Sequence, residues 1–309
     1  MSLSLQIVLS GLAAGSVYGL IAVGYVLVYR LTGIVHFALG DLVGLGVFVA
    51  LLVTAGHGTV TQASASSWRF AAGLAVAIVA VPLLTAGSWF AIIEPQVASR
   101  STLRWVAATA AIAFAIQSLL LAVFARPAYV FPDPLPFHRA GNDGVVSVAG
   151  ATFQLRSLFV IVLGLALAAA VGALAGRTRF GRGLEAIAED AEGAAVVGVP
   201  RDRFVGLAFG LVGAVAVVIA VAAAPSGPFS ATTGSLLGVK GLVAALVVLF
   251  GSPLRAYAAG LALGLVEAVI ASGRISGHGL GPSYREVIPF LAVLALLAVR
   301  GRVGAAEPE

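Results

Sequence analysis

The fold class this sequence predicts is an all-α, polytopic bundle of transmembrane helices, and three observations predict it. First, 60% of the 309 residues are hydrophobic and only 10% are charged, with a mean hydropathy of +1.07. A soluble globule cannot bury that much apolar surface. Second, the apolar residues come in blocks of roughly 20, the length a helix needs to cross a hydrocarbon core, rather than as the alternating short strands of a barrel. Third, the charges gather in one long interruption, residues 177–203, which must sit in water and so marks one membrane face.

Composition also excludes functions. There is no cysteine, so disulfides, thiolate metal sites and cysteine nucleophiles are ruled out. The 18 lysines and arginines lie scattered between apolar blocks, so the high pI implies no nucleic-acid partner. The N-terminal stretch lacks a basic leader, exceeds signal-peptide length and runs on to another apolar block, so it reads as a retained first helix.

In chain order the apolar segments are 5–29, 34–54, 70–93, 106–125, 158–176, 204–224, 236–250, 253–272 and 287–299. The seventh and ninth are short for a crossing, which predicts eight or nine spans. With 177–203 placed in the cytoplasm, Arg30, Arg100, Arg104, Arg177, Arg179, Arg182, Arg201, Arg203, Arg255, Arg300 and Arg302 fall inside. Arg69, Arg126, Arg139, Arg156, Arg274 and Arg285 fall outside. The excess of arginine inside predicts the N-terminus out and the C-terminus in.

One membrane domain, residues 1–304, is expected, with a tail at 305–309 that reads as disordered. The external loop 126–157 carries four prolines and the turn Gly141-Asn142-Asp143-Gly144, followed by a strand-like stretch suited to a small hairpin or a re-entrant piece. Small residues four apart (Gly11, Gly15 and Gly19; Gly164, Ala168, Gly172 and Gly176; Gly206 and Gly210; Gly260 and Gly264) suit close packing of helix backbones.

Enzyme motifs are missing. The four histidines are dispersed, and the Gly234 to Gly241 stretch lacks the spacing and final Ser or Thr of a phosphate loop. No catalytic residue, metal or cofactor is expected on the chain. Three ionisable residues, Asp41, Lys240 and Glu267, fall in apolar segments, where charge costs a few kcal/mol and tends to face a cavity or a partner. A structural ion pair between Lys240 and Glu267 is the plainest reading; contact with a charged substrate and a proton relay are the others. Asp41 would cap a half-helix, and not sit exposed to lipid, if the preceding stretch dips inward as broken helix.

In 177–203, Leu184, Ile187, Ala188, Ala191 and Ala195 recur at helical spacing, with Glu185, Glu189 and Glu192 on other faces. This predicts an amphipathic helix over about 182–197, ended near Gly198 and Pro200. A solvated connection is the plain alternative.

These stretches together resemble the permease subunits of branched-chain amino acid ABC importers. The resemblance rests on Gly11 to Gly24, Tyr29 to Asp41, Thr178 to Asp190 with Gly198 to Arg203, and Gly241 to Pro253 continuing through Gly260, Gly264 and Glu267. It spans nearly the whole chain. His36 and Leu39 depart from the family's usual Asn and His, which bears on the solute. The resemblance implies an inner-membrane importer with a second, different permease, two cytoplasmic ATPases that bind the ATP, and an external solute-binding protein. It makes 177–203 the coupling loop, with Arg182, Glu185, Glu189 and Asp190 fixing register on an ATPase, Leu184, Ile187 and Ala191 filling its groove, and Gly198 ending the helix. Ser16, Tyr18, Thr32, His36, Phe37, Asp41, Lys240 and Glu267 are the candidates for the translocation path. An amide, urea or other small polar solute is the alternative cargo. From another class, an ion-coupled secondary transporter would use Asp41, Lys240 and Glu267.

Overall fold

The computed structural model describes residues 2–56, 67–98, 102–124, 126, 128–131, 145–148 and 151–272, with residues 287 and 291. The helices in chain order are α1 (Ser2–Thr32), α2 (Leu39–Ala55), α3 (Ser67–Ser88), α4 (Glu94–Ala98), α5 (Thr102–Val123), α6 (Leu155–Arg177), α7 (Arg179–Glu189), α8 (Ala191–Val196), α9 (Arg201–Ala223), α10 (Thr233–Val247) and α11 (Pro253–Ala271). A π-helical turn, Trp89–Ile93, joins α3 to α4. One antiparallel hairpin interrupts this helical architecture: β1 (Val145–Val148) pairs with β2 (Ala151–Gln154), Val145 opposite Gln154. The strand-like stretch of the loop is therefore a hairpin.

Each of the first eight apolar segments falls on a helix. Among the described residues, six helical stretches are long and apolar enough to cross a membrane, while α2 and α10, at 17 and 15 residues, are shorter. The ninth segment lies outside the described residues apart from helical Val287 and Leu291, as does the 305–309 tail.

The bundle is built around α1. Every residue from position 15 to 28 is buried, as expected of a helix apolar on all faces. Its glycine line meets α11 backbone to backbone: a Cβ on Gly15 would lie 2.7 Å from the Gly260 carbonyl oxygen, and one on Gly11 3.0 Å from that of Gly264. Such small-xxx-small seams bring helices together where lipid removes the hydrophobic drive. A second seam joins α2 to α10, running in opposite directions, with Gly40 and Gly44 against Gly238 and Gly234. Leu83, Phe114, Val162 and Val266 on α3, α5, α6 and α11 are exposed, as lipid-facing side chains should be.

The helices define two ends of the bundle. Arg156, at the start of α6, donates from Nη2 to the carbonyls of Val221 and Ala222 at 2.9 and 3.1 Å, placing a cation on the C-terminal end of α9. Nearby, Tyr129 and Phe229 exchange backbone hydrogen bonds of 2.9 Å, and their rings pack around Phe48 with Phe124. This is the hairpin end. At the other end, α7 and α8 lie across the termini of α1, α6 and α9.

Candidate functional site

The expected single helix over 182–197 is two helices. Asp190 breaks it: its backbone is extended, and its Oδ1 accepts from the amides of Glu192 and Gly193, both at 3.0 Å, as an N-cap for α8. The carboxylate assigned to register on an ATPase is thus engaged in its own backbone. Thr178 caps α7 in the same way through the Gly181 amide. Gly198, with φ +87°, ends α8; the Val199 amide reaches back to the Ala194 carbonyl at 2.9 Å, a closure that needs a left-handed residue.

The two faces of α7 separate as amphipathic patterning requires. Arg179, Arg182, Glu185 and Glu189 are exposed, and Gly181, Gly183, Leu184 and Ile187 are buried. Leu184 and Ile187, expected in a partner's groove, lie in the chain's own core, beneath the end of α1. Spacing alone identified the apolar face without showing which body covers it. Apolar side chains are offered to solvent at the end of α8, where Val196 and the following Val197 are 88% and 76% exposed. Ala191 is half-buried, and Arg30 of α1 pairs with Glu185 at 3.6 Å on the surface.

The eight path candidates fall in three places. In mid-bundle, Lys240 Nζ lies 3.0 Å from Glu267 Oε1 and 3.3 Å from Oε2, and donates to the Tyr18 hydroxyl at 3.3 Å. That hydroxyl in turn donates to Glu267 Oε2 at 2.9 Å. Lys240 is 6% exposed and Glu267 1%, so the two charges neutralise each other in a buried setting where either alone would be costly. Tyr18 and Lys240 form one end of a cavity of about 560 Å³; Gln154, Gly227 and Phe229 form the other, toward the hairpin. Its walls include Ala13, Val17, Val160 and Leu237, and its polar rim Ser10, Ser157 and Thr233.

Ser16, two residues from Tyr18, faces elsewhere, accepting from the Tyr257 hydroxyl at 3.1 Å between α1 and α11. The remaining four lie along an interruption. The second segment was expected to be helical from Ile34, but α2 begins at Leu39, and residues 33–38 form a non-helical link opened by Gly33 at φ +69°. Thr32 closes α1 by donating to the Val28 carbonyl at 2.8 Å. His36 is 1% exposed, its ring 5.3 Å from that of Phe209 on α9, with neither nitrogen hydrogen-bonded. Phe37 is exposed. Asp41 occupies the first turn of α2, buried, and accepts a hydrogen bond from Ser235 of α10. The helix break considered before Asp41 is present, but the N-cap position belongs to Ala38, which has no side-chain cap, and Asp41 lies in the first turn with its carboxylate on Ser235. Ser235 is a partner that sequence reasoning missed; its signal was the shared Gly-x-Leu-x-Gly of Gly40–Gly44 and Gly234–Gly238.

Residues 7–297 match the model of a family described as the permease component of branched-chain amino acid transport systems. The chain belongs to this family. Among curated relatives of this permease are the high-affinity branched-chain amino acid transport permease LivH of Escherichia coli K12, 28% identical over 312 residues, and LivH of Salmonella typhimurium, 27% identical over 309. BraD of Pseudomonas aeruginosa is 26% identical over 316 residues. Each alignment covers 99% of this chain and 97% of the relative. No solved structure matches it. The permease is thus a multi-pass inner-membrane protein and the permease subunit of an amino acid importer of the ABC type, a transport component.

Proposed function

We propose that this permease carries branched-chain or closely related amino acids inward, driven by ATP hydrolysed on a separate cytoplasmic subunit. The observation that carries the reading is the separation of two features on opposite ends of one bundle: a cavity reaching the Tyr18–Lys240–Glu267 triad from the hairpin end, and a capped amphipathic element with bare valines at the other. An aliphatic solute needs apolar walls with a few polar groups for its charged ends, which the cavity supplies. Tyr18 and Lys240 face it directly and Glu267 holds them. Ser16, Thr32, His36, Phe37 and Asp41 bear on the path through the interruption and the α1–α11 seam.

In this reading α7 and α8 form the coupling element on the cytoplasmic face, with the N-terminus out, the C-terminus in and eight or nine spans. Val196 and Val197 meet an ATPase, Arg182, Glu185 and Glu189 set the register by charge, and Leu184 and Ile187 transmit the movement into α1. Closure of two ATPases then tilts the spans. A second, different permease completes the path, and an external solute-binding protein delivers the cargo.

Reconstitution of the complete transporter in liposomes tests this. Leucine uptake is expected only with internal ATP and external binding protein. Uptake driven by an ion gradient without ATP would reject the reading in favour of a secondary transporter, and uptake of amides or urea but not leucine would change the cargo.

A further inference from the structure

We propose that the groove between α3 and α9 is a binding site for an acidic membrane phospholipid, with one acyl chain along the groove and the headgroup phosphate on Arg203. The groove encloses about 750 Å³ and is walled by Pro82, Leu83, Phe90, Gly206, Leu207 and Gly210, among others. Its room comes from missing side chains. At Gly206 the gap is closed by Phe90, whose ring would lie 2.5 Å from an added Cβ; at Gly210 it stays open, the nearest atoms being 3.7 Å away.

Length and charge select the occupant. From Arg203 to Ala214, the groove runs eleven residues along α9, roughly 16 Å at the helical rise, which is about half of a hydrocarbon core of ~30 Å. It therefore spans one leaflet, from headgroup level to midplane. Arg203 is its only charged lining residue among the described residues; it is exposed and has neither hydrogen bond nor ion pair there. A phosphate at the head of an acyl chain complements a lone guanidinium at the mouth of an apolar slot. A neighbouring helix, roughly 10 Å across, would enter only by a row of side chains and would set apolar surface against Arg203.

The transporter, extracted from its membrane and exchanged into equimolar phosphatidylglycerol and phosphatidylcholine, is examined by native mass spectrometry. The wild type should retain phosphatidylglycerol in roughly fivefold preference, the weight of one basic contact. Arg203→Gln, on the surface, should abolish the preference while phosphatidylcholine still binds. Gly210→Leu, whose Cβ would meet Ala86 and Pro82 at an ordinary contact distance of 3.7 Å, should lower occupancy by both lipids at unchanged Tm. An undiminished preference in Arg203→Gln, or wild-type occupancy in Gly210→Leu, overturns the proposal. So does a photocrosslinker at Leu207 that captures a second permease in the assembled transporter.

Discussion

Lys240 and Glu267 meet at 3.0 Å between α10 and α11, both shielded from solvent and both touching the hydroxyl of Tyr18. Pairing makes the charges tolerable, so removing one should hurt more than removing both. Lys240→Met alone is expected to destabilise by about 3–5 kcal/mol, because Glu267 is left buried without its counter-charge. Lys240→Met with Glu267→Gln should recover most of that, measured as Tm and membrane yield. Leucine uptake by the double variant then separates the roles: transport lost at restored stability assigns the charges to the path, and transport retained makes the pair structural.

Asp190 should behave as a cap before it behaves as a charge. Asp190→Asn keeps an acceptor for the Glu192 and Gly193 amides and is expected to retain most uptake. Asp190→Ala should weaken α8 by about 1 kcal/mol and Asp190→Lys should abolish transport. Equal uptake by the Asn and Lys variants, with normal insertion, would contradict this.

Val196 and Val197 predict a recruitment defect. Val196→Asp is expected to leave membrane level and Tm unchanged, since the side chain touches little of its own chain, while ATPase co-purification falls roughly tenfold. Leu184→Asp should instead prevent accumulation of the protein, because that site is core.

Because the chain has no cysteine, single-cysteine labelling runs without background. A cysteine at Val197 should react with an impermeant maleimide only from the cytoplasmic side, and one at Arg126 only from outside. The reverse pattern would invert the proposed topology.

Gly15→Leu tests the α1–α11 seam. Its Cβ alone would lie 2.7–2.9 Å from the backbone of Gly260 and Leu261, so the helices must part. A loss of about 3 kcal/mol or more is expected, read as Tm in detergent.

Most helices were legible because a span is written locally, in roughly twenty apolar residues, and small-xxx-small spacing announced the α1–α11 seam but not the α2–α10 one. Partners were harder to read. The late start of α2 was hidden because Ile34, Val35 and Phe37 are as apolar as the helix they precede. The break in the coupling element was visible in Asp190 and Gly193, a capping pair masked by the surrounding alanines. Arg156 looked like a loop charge, since nothing in sequence links it to carbonyls 65 residues on. The burial of Leu184 and Ile187 depends on α1 lying above them, a fact of assembly that spacing does not encode.

Where α2 crosses α10, four glycines put bare backbone against bare backbone. Such a contact has no teeth. A shift of one helix along the other would meet no side chain at these four positions, but it would break the Asp41–Ser235 hydrogen bond. Gly44→Ala, whose Cβ would touch Gly234 and Leu120 at an ordinary 3.6 Å, adds the first tooth: the fold should hold at unchanged Tm while each turn of the transport cycle slows.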